Sequence, residues 1–521
     1  MKRIINSCAE KNEVIRYALD HDGPAAAALH AHSKTEKNYR NSYGLPPGRP
    51  YDVKRPCGKN FTLREMLADN MTAAQLNRSL DTIMPPSDFS DACVKYAEER
   101  FGPGCVEDIR AVLDTGLIAT ADHLGGFYSP QSFQGDIMYA MTMKDRGKRL
   151  KYLPFFSFGM VSVQNSAYPK GMMIFQGQKE PARLSMIPRK YNNSMVCSLD
   201  ACTPAMVEAM RKRICAADIP EELKSLSLQV TDRIYGSEKF LSQERYGEQL
   251  VRIGYELTKD ISPDLPGFIF IENEELFADI IINEINDSRS LLYHILNCPQ
   301  LTEEYMTHRS GNSWKTFGQV LFMGIDEKGR NFTLSLGEDG SFSGRDWEGQ
   351  EVLIGREKLA DRLKKKKIIP TVYLMAVVSA LERGFTWCGG TFQAVYLPRL
   401  QHRTVKMLRN AAGKGAACGD YLMHMADLME KLNCERYTSG PVFALTEGDE
   451  SSLCNASLME FLQRKPGEKE LEKMMSVSLE DAHIMGMYEY YSDMVPNAEK
   501  IPDWYEILTG FYYEKYSSFL L

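Results

Sequence analysis

The residues best suited to chemistry lie between Ala119 and Asp136, in the run ATADHLGGFYSPQSFQGD. Asp122 and His123 are adjacent there, behind the apolar Leu117-Ile118 and ahead of Gly125-Gly126. An apolar run that ends in polar residues and a double glycine suits a strand passing into a loop, where catalytic groups often sit on a rigid frame. Histidine titrates near neutrality, so His123 is read as a general base and Asp122 as its orienter or as a metal ligand. Successive side chains of an extended chain point to opposite faces, which separates the two unless the chain turns between them. The plainer alternative is a loop with one polar cap and one surface histidine.

A second group is His30-Ala-His32, with His21 upstream. Two histidines could ligate a metal, with Asp122 or His123 completing the site. The alanines 25–28 favour a helix, on which residues two apart diverge by about 200°. No HExxH signature supports the pair.

Basic residues form a third group. Arg183, Arg189 and Lys190 fall in PARLSMIPRKYNNS, and Arg399, His402, Arg403, Lys406, Arg409 and Lys414 follow further on. On a helix, His402, Lys406 and Arg409 share one face. In a chain of net charge −7, such a stripe suits an anionic ligand: phosphate, carboxylate or the pyrophosphate of CoA. The alternative is a solvated helix face. Gly413-Lys-Gly-Ala-Ala-Cys-Gly419 could cradle a phosphate before the next helix, but no Walker A motif occurs in the chain. Cys388-Gly389-Gly390 reads as the turn ending a buried helix, and Cys388 has no base near it in sequence. Glu272, Glu274, Glu275 and Asp279 read as helix-dipole partners at a helix start.

These groups need elements to position them. A chain of 521 residues, 44% hydrophobic and 25% charged, is long enough for two to four folded domains. The fold class is α+β, with mixed α/β as the variant. Residues 1–150 read as mainly helical with a loop at 119–136. Residues 151–357 read as a mixed part, with strands at Pro154 to Val163, Gly171 to Phe175 and Gly267 to Ile271, and an antiparallel meander near 315–355. Residues 358–521 read as helical, ending in an aromatic tail, Tyr488 to Phe519, that docks on the body. Thr62-Leu-Arg-Glu65 and Thr72-Ala-Ala-Gln75 fit capping boxes, Ser90 or Asp91 could cap a further helix, and Thr203-Pro204 fits a helix start. Glu274 to Asn297 reads as one long helix and Ile368 to Leu381 as a buried one.

Several classes are excluded. The 12 cysteines include no CxxC pair, so neither a zinc ribbon nor a redox motif is expected, and reduced thiols in a cytoplasmic protein are. The N-terminus has no signal-peptide pattern. The Ile368 to Leu381 run is about 14 residues, short of the ~20 that span a bilayer, so no membrane is expected. Net acidity argues against nucleic acid. The expectation is a cytoplasmic, biosynthetic small-molecule enzyme that forms an acyl or amide bond. Its donor would be phosphorylated or CoA-activated, with ATP or acyl-CoA as cofactor and a small anionic substrate. The alternatives are a metal-dependent hydrolase or lyase using His30, His32, Asp122 and His123, and a non-catalytic ligand- or partner-binding protein. A homo-oligomer is compatible with each.

Overall fold

The computed structural model describes residues 62–120, 122–125, 130–145, 147, 149–164, 171–176, 179–307, 320–389, 393–434, 459, 462 and 465–476. His21, His30, His32 and the aromatic tail lie outside the described residues.

The chain is α+β, and a parallel sheet organises it. Four strands make the sheet: β1 (Leu117–Ala119), β2 (Tyr152–Ser157), β3 (Gly267–Glu272) and β4 (Thr386–Cys388). All neighbours are parallel, and the spatial order is β4-β1-β2-β3. Read from the other edge this is 3-2-1-4, the order of doubly wound open sheets. The runs LIA, YLPFFS, GFIFIE and TWC are nearly continuous in apolar residues because both faces are covered.

Side-chain alternation divides the core in two. Leu117, Ala119, Leu153, Phe155, Phe268, Phe270 and Cys388 pack on one face with helices α1 (Leu63–Arg78), α2 (Pro130–Asp145), α3 (Pro204–Ala216) and α4 (Tyr246–Thr258). Ile118, Phe156, Ile269, Ile271 and Trp387 pack on the other, where α5 (Asn273–Glu284), α6 (Gln393–Gly413) and α7 (Gly419–Lys431) lie. The connections β1→β2 and β2→β3 therefore run over the first face. The connection β3→β4 runs over the second, and β4 enters beside β1. That change of side makes the gap between β1 and β4 the topological switch point.

Several local expectations differ from what forms. Thr62 does cap α1 in a capping box with Glu65, but Thr72 sits inside α1 and donates to Ala68 O (2.9 Å). A helix begins at Pro86, not at Ser90, whose hydroxyl donates to Pro86 O (3.2 Å). Residues 130–136 are helical, since Pro130 is suited to the first turn of α2. The Gly171–Gln176 strand pairs with Lys179–Ser185, while β2 joins the parallel sheet. The Glu274 to Asn297 stretch breaks after α5: Asp287 accepts from Arg289 N (2.9 Å), and Ser290 caps a new helix at Leu291–Asn297. The meander is two three-stranded antiparallel sheets. One takes Ile368–Pro370 as a strand, and helix resumes only after Thr371, which caps it. Among the described residues no helix is long and apolar enough to cross a membrane.

Candidate functional site

The carboxyl ends of the four strands converge on one edge. Past β1, Thr120 N donates to Cys388 O (2.9 Å), which holds the end of β1 to β4. The Thr120 hydroxyl donates to Gln393 Oε1 (2.9 Å), and Gln393 Nε2 donates to Thr120 O (3.0 Å). The first residue of α6 thus closes the switch point. Phe158 N donates to Asp122 O and Leu124 N to Phe158 O (2.9 Å each), so Asp122 and His123 still follow β2.

Their side chains part to opposite faces. The His123 ring packs against Phe158, with centroids 6.0 Å apart, and Phe158 packs on Trp387. Asp122 turns to the first face and meets Asp136 of α2. Ser157, at the end of β2, is in register beside Asp122, because His123 bridges Phe158. The alternation that points Phe155 at the first face points Ser157 there too. Glu272, at the end of β3, is the register partner of Ser157. A row Asp122, Ser157, Glu272 therefore crosses the edge in steps of about 4.8 Å.

Every member of this row is buried, and Asp136 with it: Asp122 is 1% exposed, Asp136 2%, Ser157 and Glu272 0%. Burial pushes the Asp122 carboxyl up to about 7. Burial, with the charge of Asp122 adding to it, pushes Asp136 well above the usual carboxylate range. The two carboxyls lie within hydrogen-bonding reach, but two ionised carboxylates have no proton to share. As anions, both oxygens of Asp122 and Oδ2 of Asp136 are without a hydrogen-bond partner among the described residues. Ser157 Oγ and Glu272 Oε2 have none either.

The β3 end carries a different arrangement. Glu272 Oε1 accepts from Lys366 Nζ (2.8 Å). Glu275 accepts from Arg100 (2.5 Å) and Arg245 (2.7 Å). Burial alone would raise Glu275, but Lys366, Arg100 and Arg245 together hold it down to about 2. Glu274 accepts from Gly159 N (2.7 Å) and Met160 N (2.9 Å) past the end of β2. A Cβ on Gly159 would lie 2.7 Å from Cys197 Cβ, so only glycine brings that backbone onto Glu274. Burial and the neighbouring Glu272 push Glu274 up to about 7 despite these bonds. Lys366 reaches Glu272 from a left-handed backbone position (φ 50°) just past the helix Leu359–Lys364. Lys367 N donates to Arg362 O (2.9 Å) and Lys366 N to Leu363 O (3.0 Å), the paired bonds of a Schellman stop, with lysine where glycine is usual. A cavity of about 840 Å³ opens here, lined in part by Arg245, Glu275, Asp326 and Lys366. Many of its charges are already matched, as in Lys367–Glu327 (2.9 Å) and Lys328–Glu348 (2.8 Å).

The basic residues singled out from sequence are not gathered at the switch point. Arg183 lies on the Lys179–Ser185 strand, and Arg189 and Lys190 in the turn after it, all exposed. Lys190 Nζ sits 4.8 Å over the Tyr191 ring. His402, Arg403, Lys406 and Arg409 are on α6. At roughly 1.5 Å per residue, His402 is about 13 Å from Gln393 along the axis and Arg409 about 24 Å. Arg409 is paired with Glu430 (2.6 Å) and Asp427 (3.1 Å) of α7. Cys388 is on β4 and accepts from Asn70 Nδ2 (3.8 Å). Among the described residues no group of three or more His, Cys, Asp or Glu could hold a metal ion.

Sequence reading missed Asp136 and Ser157 as site residues, and read Glu272 as a dipole partner only. Asp136 could have been found by setting Pro130 as a helix start. Ser157 has no local signal: it is a lone hydroxyl inside an apolar run. No protein-family model matches the chain, and no similar sequence is found among curated proteins.

Proposed function

We propose that this chain is an enzyme acting on a small anionic molecule at the carboxyl edge of its parallel sheet, forming an acyl or amide bond from a phosphorylated or CoA-activated donor. The observation that carries the reading is the buried row Asp122, Ser157 and Glu272 beside Asp136, in which Ser157 Oγ, Glu272 Oε2 and, when both aspartates are ionised, Asp122 have no hydrogen-bond partner among the described residues. An unsatisfied buried polar atom costs about 1–3 kcal/mol. Such a loss calls for an explanation outside the fold itself, and a ligand is one. In open sheets of this strand order, ligands bind outside the carboxyl ends at the switch point. Asp122 stands two residues beyond Thr120, which with Gln393 bridges the strand ends at that point. The reading assigns no step to His123, whose ring lies on the other face.

Thermal denaturation in the presence of ATP, acetyl-CoA and longer acyl-CoAs tests it. A ligand that binds only the folded state at a hundred times its Kd adds about 2.7 kcal/mol of stability. At least one donor is expected to raise Tm by several degrees, and Asp122→Asn to abolish the rise. No shift with any of them at millimolar concentration overturns the reading.

A further inference from the structure

We propose that Asp122 and Asp136 hold a divalent cation of the magnesium or manganese kind, and that phosphate oxygens of the donor fill its open positions. The inference rests on the donor-site reading above and names how an acidic edge receives an anionic donor.

Three observations lead to it. The two carboxyls come from different elements, the end of β1 and the middle of α2, and meet at almost complete burial. Among the described residues no lysine or arginine forms an ion pair with either aspartate, unlike Glu272 with Lys366 and Glu275 with Arg245. Two carboxyls in contact at low dielectric cannot both stay ionised unless a cation lies between them, and a shared proton is the alternative. Ser157 is the third and is independent of the acids. Its hydroxyl is neutral, fully buried and without a partner among the described residues, and it stands in register beside Asp122 on the face that α2 covers. A hydroxyl so placed can bond a water that a cation carries.

The donor set selects the ion. Carboxylate and hydroxyl oxygens suit magnesium and manganese, not the softer metals that thiolates and imidazoles take. Magnesium keeps several waters and is usually held by one or two carboxylates together with substrate phosphates. A site of two carboxylates is therefore complete only with its ligand, and a third protein carboxylate is not required. The carboxyls at the β3 end differ here: buried Glu272 and half-buried Glu275 already hold Lys366 and Arg245.

The probe is Mn²⁺, titrated into the full chain and followed by electron paramagnetic resonance, with and without ATP. One Mn²⁺ per chain is expected, bound more tightly when ATP is present. Asp122→Asn and Asp136→Asn should each abolish binding in the submillimolar range. Their folding is expected to survive, because the new amide can donate to the remaining carboxyl. Ser157→Ala, which removes only the unpartnered hydroxyl, should weaken Mn²⁺ by about tenfold, the usual effect of losing an outer-shell partner. Mn²⁺ binding that is absent, or unchanged in all three variants, overturns the proposal and leaves the carboxyls joined by a proton. The two readings fail differently. A donor that raises Tm equally in EDTA and in Mg²⁺ keeps the donor site and removes the cation. Mn²⁺ bound through Asp122 and Asp136 with no donor effect keeps the cation and removes the donor site.

Discussion

On the second face of the sheet Asp88, Glu284 and Glu382 surround Arg383; on the first face Asp122 and Asp136 meet with no such cation among the described residues. Arg383 is 1% exposed, and its Nε and Nη2 donate to Asp88 (2.7 and 2.9 Å). Its Nη1 donates to Val378 O (2.7 Å), and Glu284 lies 2.6 Å from Nη2. Glu382 accepts from Leu291 N (2.6 Å). Burial and Glu284 push Glu382 well above the usual carboxylate range, so a proton balances what one arginine cannot. The carboxyls of both clusters include fully buried ones, yet only the first cluster is tied down by a guanidinium and the backbone. Glu284 and Glu382 Oε2 also lack hydrogen-bond partners among the described residues, so neither burial nor an unpartnered oxygen alone marks a site. What differs is the arginine, since no described lysine or arginine forms an ion pair with Asp122 or Asp136. The Arg383 cluster joins the Asp88 helix, α5 and the turn before β4, and its work is architectural.

The sharpest break of this contrast is Arg383→Met. Removing the one cation leaves buried carboxyls unpaired, and such losses run to about 3–5 kcal/mol. The urea midpoint should fall accordingly. A loss below about 1 kcal/mol would mean that protons alone neutralise the cluster, and the contrast with Asp122–Asp136 would disappear.

Glu274 stands between the two cases, since it is held by backbone N–H groups but by no cation of its own. Its folded pKa, about 7, lies above the ordinary 4.5. The folded state therefore binds the extra proton, and this contribution is complete below about pH 4.5 and lost as pH rises through 7. Relative to Glu274→Gln, the wild type should lose about 3 kcal/mol between those limits, at 1.36 kcal/mol per unit. Parallel stability–pH curves for the two proteins would show that Glu274 does not titrate in this window.

The smallest effect belongs to Arg409. Its pairs with Asp427 and Glu430 are at the surface, where ion pairs contribute little and salt screens them. Arg409→Ala should leave Tm unchanged and leave any donor-induced shift intact. Loss of that shift would move the anion site from the strand edge to the α6 stripe.

What the sequence disclosed follows from the range of the interactions involved. Thr62 and Thr203 announce helix starts because their caps act within three residues. Leu117-Ile118 followed by Asp122-His123 announces a strand end for the same local reason. GFIFI is readable as a strand because it is apolar on both faces. The α+β class follows from such elements together. The parallel order does not, because β1 pairs with β4, and those strands lie in the first and last of the three stretches read from sequence. β4 is only the three residues TWC, too short to show a period, so Cys388 reads as the end of a helix. The candidate site was half visible. Asp122 stands at a recognisable strand end, while its partner Asp136 is a helical residue and Ser157 a strand residue, and only packing brings them together.

Lys366 bears on how much of a local turn depends on the rest of the fold. A glycine at the stop of the Leu359–Lys364 helix would let that turn form by itself. Lysine in the left-handed region carries a local penalty of about 1–2 kcal/mol. The ammonium's bond to Glu272, which is buried at the end of β3, helps the turn's own backbone bonds to offset that penalty. A peptide cut from this region should therefore lack the turn that the whole protein has. The stop is thus written partly in local bonds and partly in a tertiary contact with the sheet.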